Sequence, residues 1–394
     1  MHYGLRSDFT DQYRTNAIID EAVVEQYGNA LAEGYELLTG SEYGWPSLPI
    51  GLVCDVAIRD LGAGRFGLAN PGSDPVGLSD CYLALTSRSL ESSSEHDAGM
   101  RRTIAIHELL HLLQFPSPLY RSGLGKSVFI KDPNWWLHES VALATEWFLG
   151  GASGKLIPNL WNWANAPHIS CQADELGFQA FPWMVYLMET FGKWFPARLY
   201  NQVLNNISAQ HVGPIEASDW LAGFIRTLKL RVDEASLSSQ FLRYACLWAL
   251  PYEQLPTWAQ QIVQVVGRPA WTNAEFVNDS VWRVPPIERL GFRIIPIPEE
   301  MQINVWDLAV SFDGHTRSNL ESIQSALVLV DQKDHVTVKE CDYHQQKCVV
   351  RVSLSLAKTI KEAFLVIANT NVGAGRGNHD LDPISIELAK KAEF

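Results

Sequence analysis

The sequence predicts an α+β protein in which a mainly helical domain with a small N-terminal sheet precedes a C-terminal β-sandwich. Two observations predict this fold class. Between residues 15 and 266 apolar side chains mostly recur at helical spacing, whereas after Trp282 the chain turns into short strand-like runs separated by Asp, Gly, Asn and Ser. We therefore predict a boundary near residue 283 and two domains, residues 1–283 and 284–394.

The predicted helices follow from the spacing of apolar side chains and from the residues that stop them. Residues 15–38 have one apolar face and predict an amphipathic helix. Residues 101–115 and 135–149 are apolar around most of their circumference, which predicts two buried helices; a pair of prolines ends the first and a pair of glycines ends the second. Further helices are predicted at residues 180–191, 197–208, 217–230, 240–250 and 257–266.

The predicted strands fall into two groups. Near the N-terminus, residues 50–58 and 81–86 are short apolar runs bounded by turn residues, with a loop or loose hairpin at residues 62–77 between them. Five or more short runs with turn residues between them are typical of a β-sandwich, and the C-terminal region has such runs. They lie at residues 293–296, 302–310, 326–330, 336–340, 349–356 and 363–367.

Composition and charge exclude several classes of protein. With 47% hydrophobic and 19% charged residues, the chain has the composition of a folded globular protein. Its net charge of -13 is spread over the chain, which argues against nucleic acid or an anionic membrane as a partner. No apolar run approaches the length of about 18 residues that a membrane helix needs, so we expect no transmembrane segment. We also expect a monomer.

A metal-binding motif lies in the first predicted buried helix, where residues 107–111 read His-Glu-Leu-Leu-His. Residues i and i+4 of a helix lie on one face, so the imidazoles of His107 and His111 can bind one metal ion. Glu108 projects beside the open coordination position, where a carboxylate can take a proton from the attacking water and return it to a leaving amine. The alternative is a set of hydrogen-bonded polar residues in the core.

A catalytic zinc site generally has three protein ligands and a water, so a third ligand is required. The metzincin spacing fails, because it needs a His six residues after His111 and position 117 is Ser. A carboxylate on the next helix is the other solution. The second buried helix carries two, Glu139 and Glu146, in the pattern Trp-x-x-Glu-x-x-Ala-x-x-x-Glu.

The two motifs together resemble the gluzincins, thermolysin-type metallopeptidases whose third ligand is a Glu on the following helix. More narrowly, residues 136–146 are similar to secreted bacterial endopeptidases of the hyicolysin and immune-inhibitor kind. The resemblance rests mainly on these two short segments. It implies a zincin-like catalytic domain, zinc (Zn2+) as cofactor, Glu139 as third ligand beside His107 and His111, and Glu108 as the general base.

The chain departs from the family pattern in two places after the ligand Glu. Relatives commonly have Gly directly after it and an acid four residues beyond it, whereas this chain has Ser140 and Leu143. Glu146, two turns beyond Glu139, is expected to orient a zinc-binding His in place of that acid. Its alternative role is a surface salt bridge.

The family also has a Tyr or His that steadies the oxyanion of the tetrahedral intermediate. Tyr186 is our first candidate for that role, followed by His168 and His211. For each, the alternative is an ordinary core or surface residue. His138, next to Glu139, points about 100° around the helix from it, so we expect a structural role or a place lining the cleft.

The cysteines bear on the compartment. Cys341 and Cys348 flank a short polar segment and predict a stapled hairpin, and Cys54 with Cys81 can join two neighbouring strands in a disulfide. An even number of cysteines used in this way favours an oxidising compartment. The N-terminus has no apolar signal segment, so the sequence is either that of an intracellular protein or that of a mature form whose leader has been removed; the cysteines favour the second, and we expect a secreted protein. The alternative is six buried thiols in a cytosolic protein.

The leading hypothesis is a zinc-dependent endopeptidase that acts on protein or peptide substrates, glycoproteins included. Residues 82–86 are the predicted edge strand that pairs with the substrate, since they precede the zinc helix directly. One alternative is an adhesion or binding protein with a degenerate or structural metal site. The other is a metal-dependent hydrolase of a non-peptide amide.

Overall fold

A computed structural model describes most of the chain in separate stretches. They are residues 21–59, 61, 66–72, 78, 81–87, 94–117, 135–150, 156–168, 180–202, 217–228, 236–272, 275–278, 281–284, 287–288, 290–297, 306–311, 323–340, 342–344, 347–351, 359–370 and 384–390. No helix within these stretches is both long enough and apolar enough to cross a membrane.

The architecture is a mixture of helices and sheets, so the predicted α+β class is confirmed. In chain order the described elements are α1 (Glu21–Thr39), β1 (Asp55–Arg59), β2 (Gly67–Asn70), β3 (Tyr82–Thr86), α2 (Ser94–Gln114), α3 (Trp135–Gly150), α4 (Ile157–Asn165), α5 (Phe181–Phe191), α6 (Phe195–Gln202), α7 (Ala217–Thr227), α8 (Leu237–Leu247), a 3₁₀ turn (Tyr252–Gln254), α9 (Thr257–Val266), β4 (Glu275–Asn278), β5 (Val281–Val284), β6 (Gly291–Pro296), β7 (Trp306–Ser311), β8 (Ile323–Asp331), β9 (Val336–Glu340), β10 (Asp342–His344), β11 (Lys347–Arg351), β12 (Ile360–Asn369) and β13 (Ile384–Lys390).

Contacts divide the chain into two compact units. The first contains Met1–Leu156 and Ala180–Trp220, and the second contains Ile157–Gln179 and Leu221–Phe394. Neither unit ends at residue 283, where the change in sequence pattern predicts the domain boundary. The difference arises because α8, which precedes that position, packs on β6, β8 and β12 within the second unit.

In the first unit, α1 supports both the helix and the sheet that follow it. It packs on α2, and a Cβ at Gly34 would lie 2.7 Å from Cγ1 of Ile106, so a larger residue would push the two helices apart. Tyr27 on α1 donates its hydroxyl to the carbonyl of Thr86 at the end of β3, at 2.7 Å. Helix α1 therefore contacts both α2 and the end of β3, and these contacts position α2 relative to β3.

The small sheet has the strand order β1-β3-β2, with β1 parallel and β2 antiparallel to β3. Because β3 pairs on both sides, the prediction that residues 82–86 are the free edge strand is wrong. The sequence of β3 suits a central strand, since Leu83, Ala84 and Leu85 are all buried. The edge of the described sheet next to α2 is instead β2, which lies in the segment predicted as a loop or loose hairpin.

In the second unit, two antiparallel sheets follow the helices. Their strand orders are β10-β11-β7-β13-β5-β4 and β6-β12-β8-β9. Aromatic side chains join helix α8 to the smaller sheet, because Phe241 and Tyr244 both make edge contacts with Phe292 on β6. The strands predicted at the C-terminal end are present within the described residues, and β4, β5, β10 and β13 are additional to the prediction.

The cysteines whose side chains the structure describes, Cys54, Cys81 and Cys246, are free thiols, so the disulfide predicted between Cys54 and Cys81 is not formed. Cys54 precedes β1 and Cys81 precedes β3. Since the first residues of these parallel strands are paired, the two cysteines are cross-strand neighbours, and their side chains hydrogen-bond to each other. Strands β10 and β11 pair as the predicted hairpin. Its staple stays a prediction, because Cys341 and the side chain of Cys348 lie outside the described parts of the chain, as does Cys171.

Candidate metal centre

The three predicted metal ligands lie on two helices that pack against each other. His107 and His111 are one turn apart on α2, and Glu139 is near the start of α3. Both histidines are buried, and the Glu139 side chain is 13% exposed. Each side chain offers one ligand atom, and these atoms lie within 4.8 Å of one another, so the group can hold a metal ion.

The distances between the ligand atoms fit a tetrahedral site. Nε2 of His107 and Nε2 of His111 are 3.1 Å apart. Oε2 of Glu139 lies 3.4 Å from Nε2 of His107, and the other carboxylate oxygen, Oε1, lies 3.5 Å from Nε2 of His111. Metal–ligand bonds of about 2.0–2.2 Å at tetrahedral angles require ligand atoms about 3.3–3.6 Å apart, so an ion fits between them with small adjustments.

Hydrogen bonds on the far side of each ring decide which nitrogen carries the proton. Nδ1 of His107 lies 2.5 Å from Oε1 of Glu146, and an ionised carboxylate can only accept, so Nδ1 donates. Nδ1 of His111 lies 2.8 Å from Oε1 of Gln114. The amide nitrogen of Gln114 donates to the carbonyl of His138 at 3.3 Å, which leaves the amide oxygen to accept from His111.

When both rings are neutral, the two Nε2 atoms carry no proton. Their lone pairs and the Glu139 carboxylate then point at the same space. Burial lowers the pKa of His111 to about 4, against the opposing effect of the Glu139 charge, so this ring is neutral at pH 7. Two imidazole lone pairs and a carboxylate at such distances repel one another. A cation between them would attract all three donors and so offset that repulsion. The donor set thus fits a divalent metal ion.

Glu146 makes the predicted contact with the ring of His107, a candidate metal ligand. Its carboxylate contacts His107 at 2.5 Å, and its side chain is 1% exposed, so the alternative of a surface salt bridge is wrong. Glu146 lies two turns beyond Glu139, which puts both carboxylates on the side of α3 that faces α2. One carboxylate thus reaches Nε2 of His107 and the other reaches Nδ1 of the same ring.

Gln114 is a residue of the site that sequence reasoning missed. It is fully buried at the C-terminal end of α2 and bonds both the His111 ring and the backbone of α3. A signal for it existed in the sequence: it follows His111 by three residues, on the same helical face, in an otherwise apolar run. A buried amide at that spacing needs partners, and the ring nitrogen is within its reach.

Glu108, the predicted general base, is 5% exposed and lies against the backbone of β2. A Cβ at Gly67 would be 2.5 Å from Cγ of Glu108, and closer still to Oε1. The edge strand is therefore in direct contact with the carboxylate. The catalytic role of Glu108 stays a prediction.

His138 has the structural role that its position on α3 predicts. Its Nδ1 lies 2.5 Å from the hydroxyl of Tyr200 on α6, and both residues are buried. Tyr200 also packs its ring edge-on against Trp45, with the ring centroids 5.3 Å apart. His138 is not a member of the metal-binding group, and it links α3 to α6.

The candidates for oxyanion stabilisation have different surroundings. Tyr186 on α5 stacks on Trp183, with ring centroids 5.4 Å apart and an angle of 15° between the rings. His168 belongs to the second unit, where burial, aided by Arg293, lowers its pKa and its carbonyl accepts from the backbone of Glu288. His211 lies outside the described residues. The role assigned to Tyr186 stays a prediction.

In comparisons with known proteins, no family model matches the chain and no curated protein matches it.

Proposed function

We propose that this protein is a zinc-dependent endopeptidase of the gluzincin kind, with His107, His111 and Glu139 as metal ligands. The observation that carries the proposal is the convergence of the two Nε2 atoms and the carboxylate, at separations of 3.1, 3.4 and 3.5 Å. Two neutral imidazoles and one carboxylate form a ligand set of catalytic zinc that leaves a fourth position for water. A purely structural zinc site has four protein ligands, and among the residues that the structure describes three converge.

The reaction requires a Lewis acid and a base. Bound zinc supplies the first, because it polarises the scissile carbonyl and lowers the pKa of a coordinated water to about 7. Glu108, one residue from a ligand on the same helix, accepts the proton of the attacking water and passes it to the leaving amine. Tyr186 is the proposed hydrogen-bond donor to the oxyanion.

A peptide substrate suits the strand beside the base. An extended peptide can add to an exposed sheet edge through main-chain hydrogen bonds, and β2 is the edge of the described sheet that packs on α2. The contact between Gly67 and Glu108 would bring such a peptide backbone close to the base. Proteins and peptides, glycoproteins included, are the proposed substrates.

The remaining parts of the proposal concern the fold and the compartment. We infer a zincin-like fold for the metal-binding part of the chain, a β-sandwich formed by the two C-terminal sheets, and a monomeric, secreted protein. Cys54 and Cys81 are free thiols, so the compartment rests on the even number of cysteines and on the predicted hairpin disulfide of Cys341 and Cys348. Thiol titration before and after reduction tests it: six free thiols without reduction would favour the cytosolic alternative.

Metal analysis combined with a peptide-library digest tests the function. We expect one zinc per chain and chelator-sensitive cleavage, with loss of both in His107→Ala and retention of both in His335→Ala, a matched change at a His whose side chain is 75% exposed. Stoichiometric metal without turnover on peptides or casein would favour the adhesion or binding protein. Turnover confined to small non-peptide amides would favour the third hypothesis.

A further inference from the structure

We propose that Gln114 is a positioning residue that holds the His111 ring for metal binding and ties it to the helix that carries Glu139. This inference rests on the metal site of the proposed function and adds a residue that the ligand motif does not contain. Gln114 bonds Nδ1 of His111, the ring nitrogen opposite the one that would face the metal, so it acts through His111.

The first support is the pair of hydrogen bonds that the Gln114 side chain makes. Its oxygen accepts from Nδ1 of His111 at 2.8 Å, so Nε2 of that ring keeps its lone pair for the metal. Its nitrogen donates to the carbonyl of His138 at 3.3 Å, one residue before Glu139. One amide therefore constrains a ligand on α2 and the backbone next to a ligand on α3.

The second support is burial. Gln114 is fully buried, so water cannot replace either partner, and truncating the amide would leave the His111 Nδ1–H without an acceptor in the interior. An unheld imidazole can rotate or change tautomer, and the alternative tautomer places a proton on Nε2. A proton on Nε2 competes directly with the metal.

The third support is the balance of charge around the site. The two rings are held differently, because the acceptor for His107 is the carboxylate of Glu146 whereas the acceptor for His111 is a neutral amide. Glu108, Glu139 and Glu146 already place three carboxylates near a divalent ion. A fourth would add uncompensated negative charge in a buried region, so an amide holds the second ring without that cost.

The test compares Gln114→Met, which removes both hydrogen bonds, with Gln114→Glu, which keeps the acceptor for His111 and removes the donor to His138. Zinc dissociation constants are measured by competition with a chromophoric chelator, and the Nδ1–H of His111 is observed by ¹⁵N-edited NMR of the zinc-loaded protein. For Gln114→Met we expect zinc affinity to fall about 10–100-fold and the ring N–H signal to be lost or to exchange rapidly. For Gln114→Glu we expect the signal to remain and a smaller loss of affinity.

Gln240→Met is the matched control, because Gln240 is 2% exposed and belongs to the second unit. It should lower thermal stability without changing zinc affinity. Wild-type zinc affinity in Gln114→Met, or a His111 ring N–H signal that persists in that variant as in the wild type, would overturn the inference. If the Gln114 variants lose zinc affinity as expected but the wild-type protein cleaves no peptide, the inference is supported and the proposed endopeptidase function is refuted. A wild-type chain that binds no zinc would refute both.

Discussion

Gly67 on the edge strand lies directly against the carboxylate of Glu108 on α2, the helix that carries His107 and His111, so closely that a Cβ at position 67 would come within 2.5 Å of Cγ. Real Cβ atoms do not approach a neighbour this closely. The strand backbone therefore limits where the carboxylate can lie, and a side chain at position 67 would force the Glu108 side chain to move. The two residues are 41 positions apart, and only the fold brings them together.

Replacing Gly67 with Ala should displace Glu108 and leave the metal ligands in place. We expect kcat/KM to fall about 100-fold, since displacing a catalytic group by about 1 Å has effects of that size, while zinc affinity stays within a few-fold of the wild type. Steady-state kinetics with metal analysis measure both. Gly99→Ala on the same helix is the control, because nothing lies within 4 Å of a Cβ there and activity should be unchanged. Normal activity in Gly67→Ala would mean that the contact does not position the base.

Replacing Glu108 with Gln should keep the metal and abolish hydrolysis. Gln has nearly the same shape but cannot accept the proton of the attacking water, so we expect a loss of about 10²–10⁴-fold or more in kcat. Elemental analysis should still find one zinc per chain. Glu25→Gln, an exposed carboxylate on α1, is the matched control. Full activity of Glu108→Gln would refute the assigned base.

Replacing Glu146 with Gln should weaken zinc binding by about 10–100-fold, because a neutral amide is a poorer acceptor for Nδ1–H of His107 than a carboxylate. Competition with a chelator measures the effect. Glu36→Gln, an exposed carboxylate on α1, should leave the affinity unchanged. If Glu146→Gln binds zinc as the wild type does, the 2.5 Å contact does not contribute to the affinity.

The metal-free protein should lose stability as the pH falls from about 6.5 to about 4. Burial lowers the pKa of His111 from 6.5 to about 4 in the folded chain, so the unfolded chain binds a proton in this interval and the folded chain does not. The unfolding free energy therefore decreases as the pH falls, by about 3 kcal/mol at most. Urea unfolding of the chelator-treated protein across this range measures it. His111→Gln should show a flatter dependence, and an equal slope in that variant would assign the effect to other groups.

Helices that depend on the pattern of residues close together in sequence were predicted well. Helix α3 runs from Trp135 to Gly150 against a prediction of 135–149, and α9 covers the predicted residues 257–266. Helix α9 has a 3.6-residue apolar pattern, α3 is apolar around most of its circumference, and each has Gly at or just after its end, all of which is local information. Strand β2 was missed because four residues, one of them Gly, are too short a run to show alternation.

The sequence by itself determined which residues can bind the metal. Spacing alone places His107 and His111 on one face of α2, and it places Glu139 and Glu146 on one face of α3, because an α-helix repeats every 3.6 residues whatever surrounds it. Only the tertiary structure decided how these faces meet. The acceptor for each ring, the amide of Gln114 between α2 and α3, and the edge strand against Glu108 depend on contacts between segments far apart in the chain. Such contacts are set by packing against other elements, and a local repeat carries no record of them.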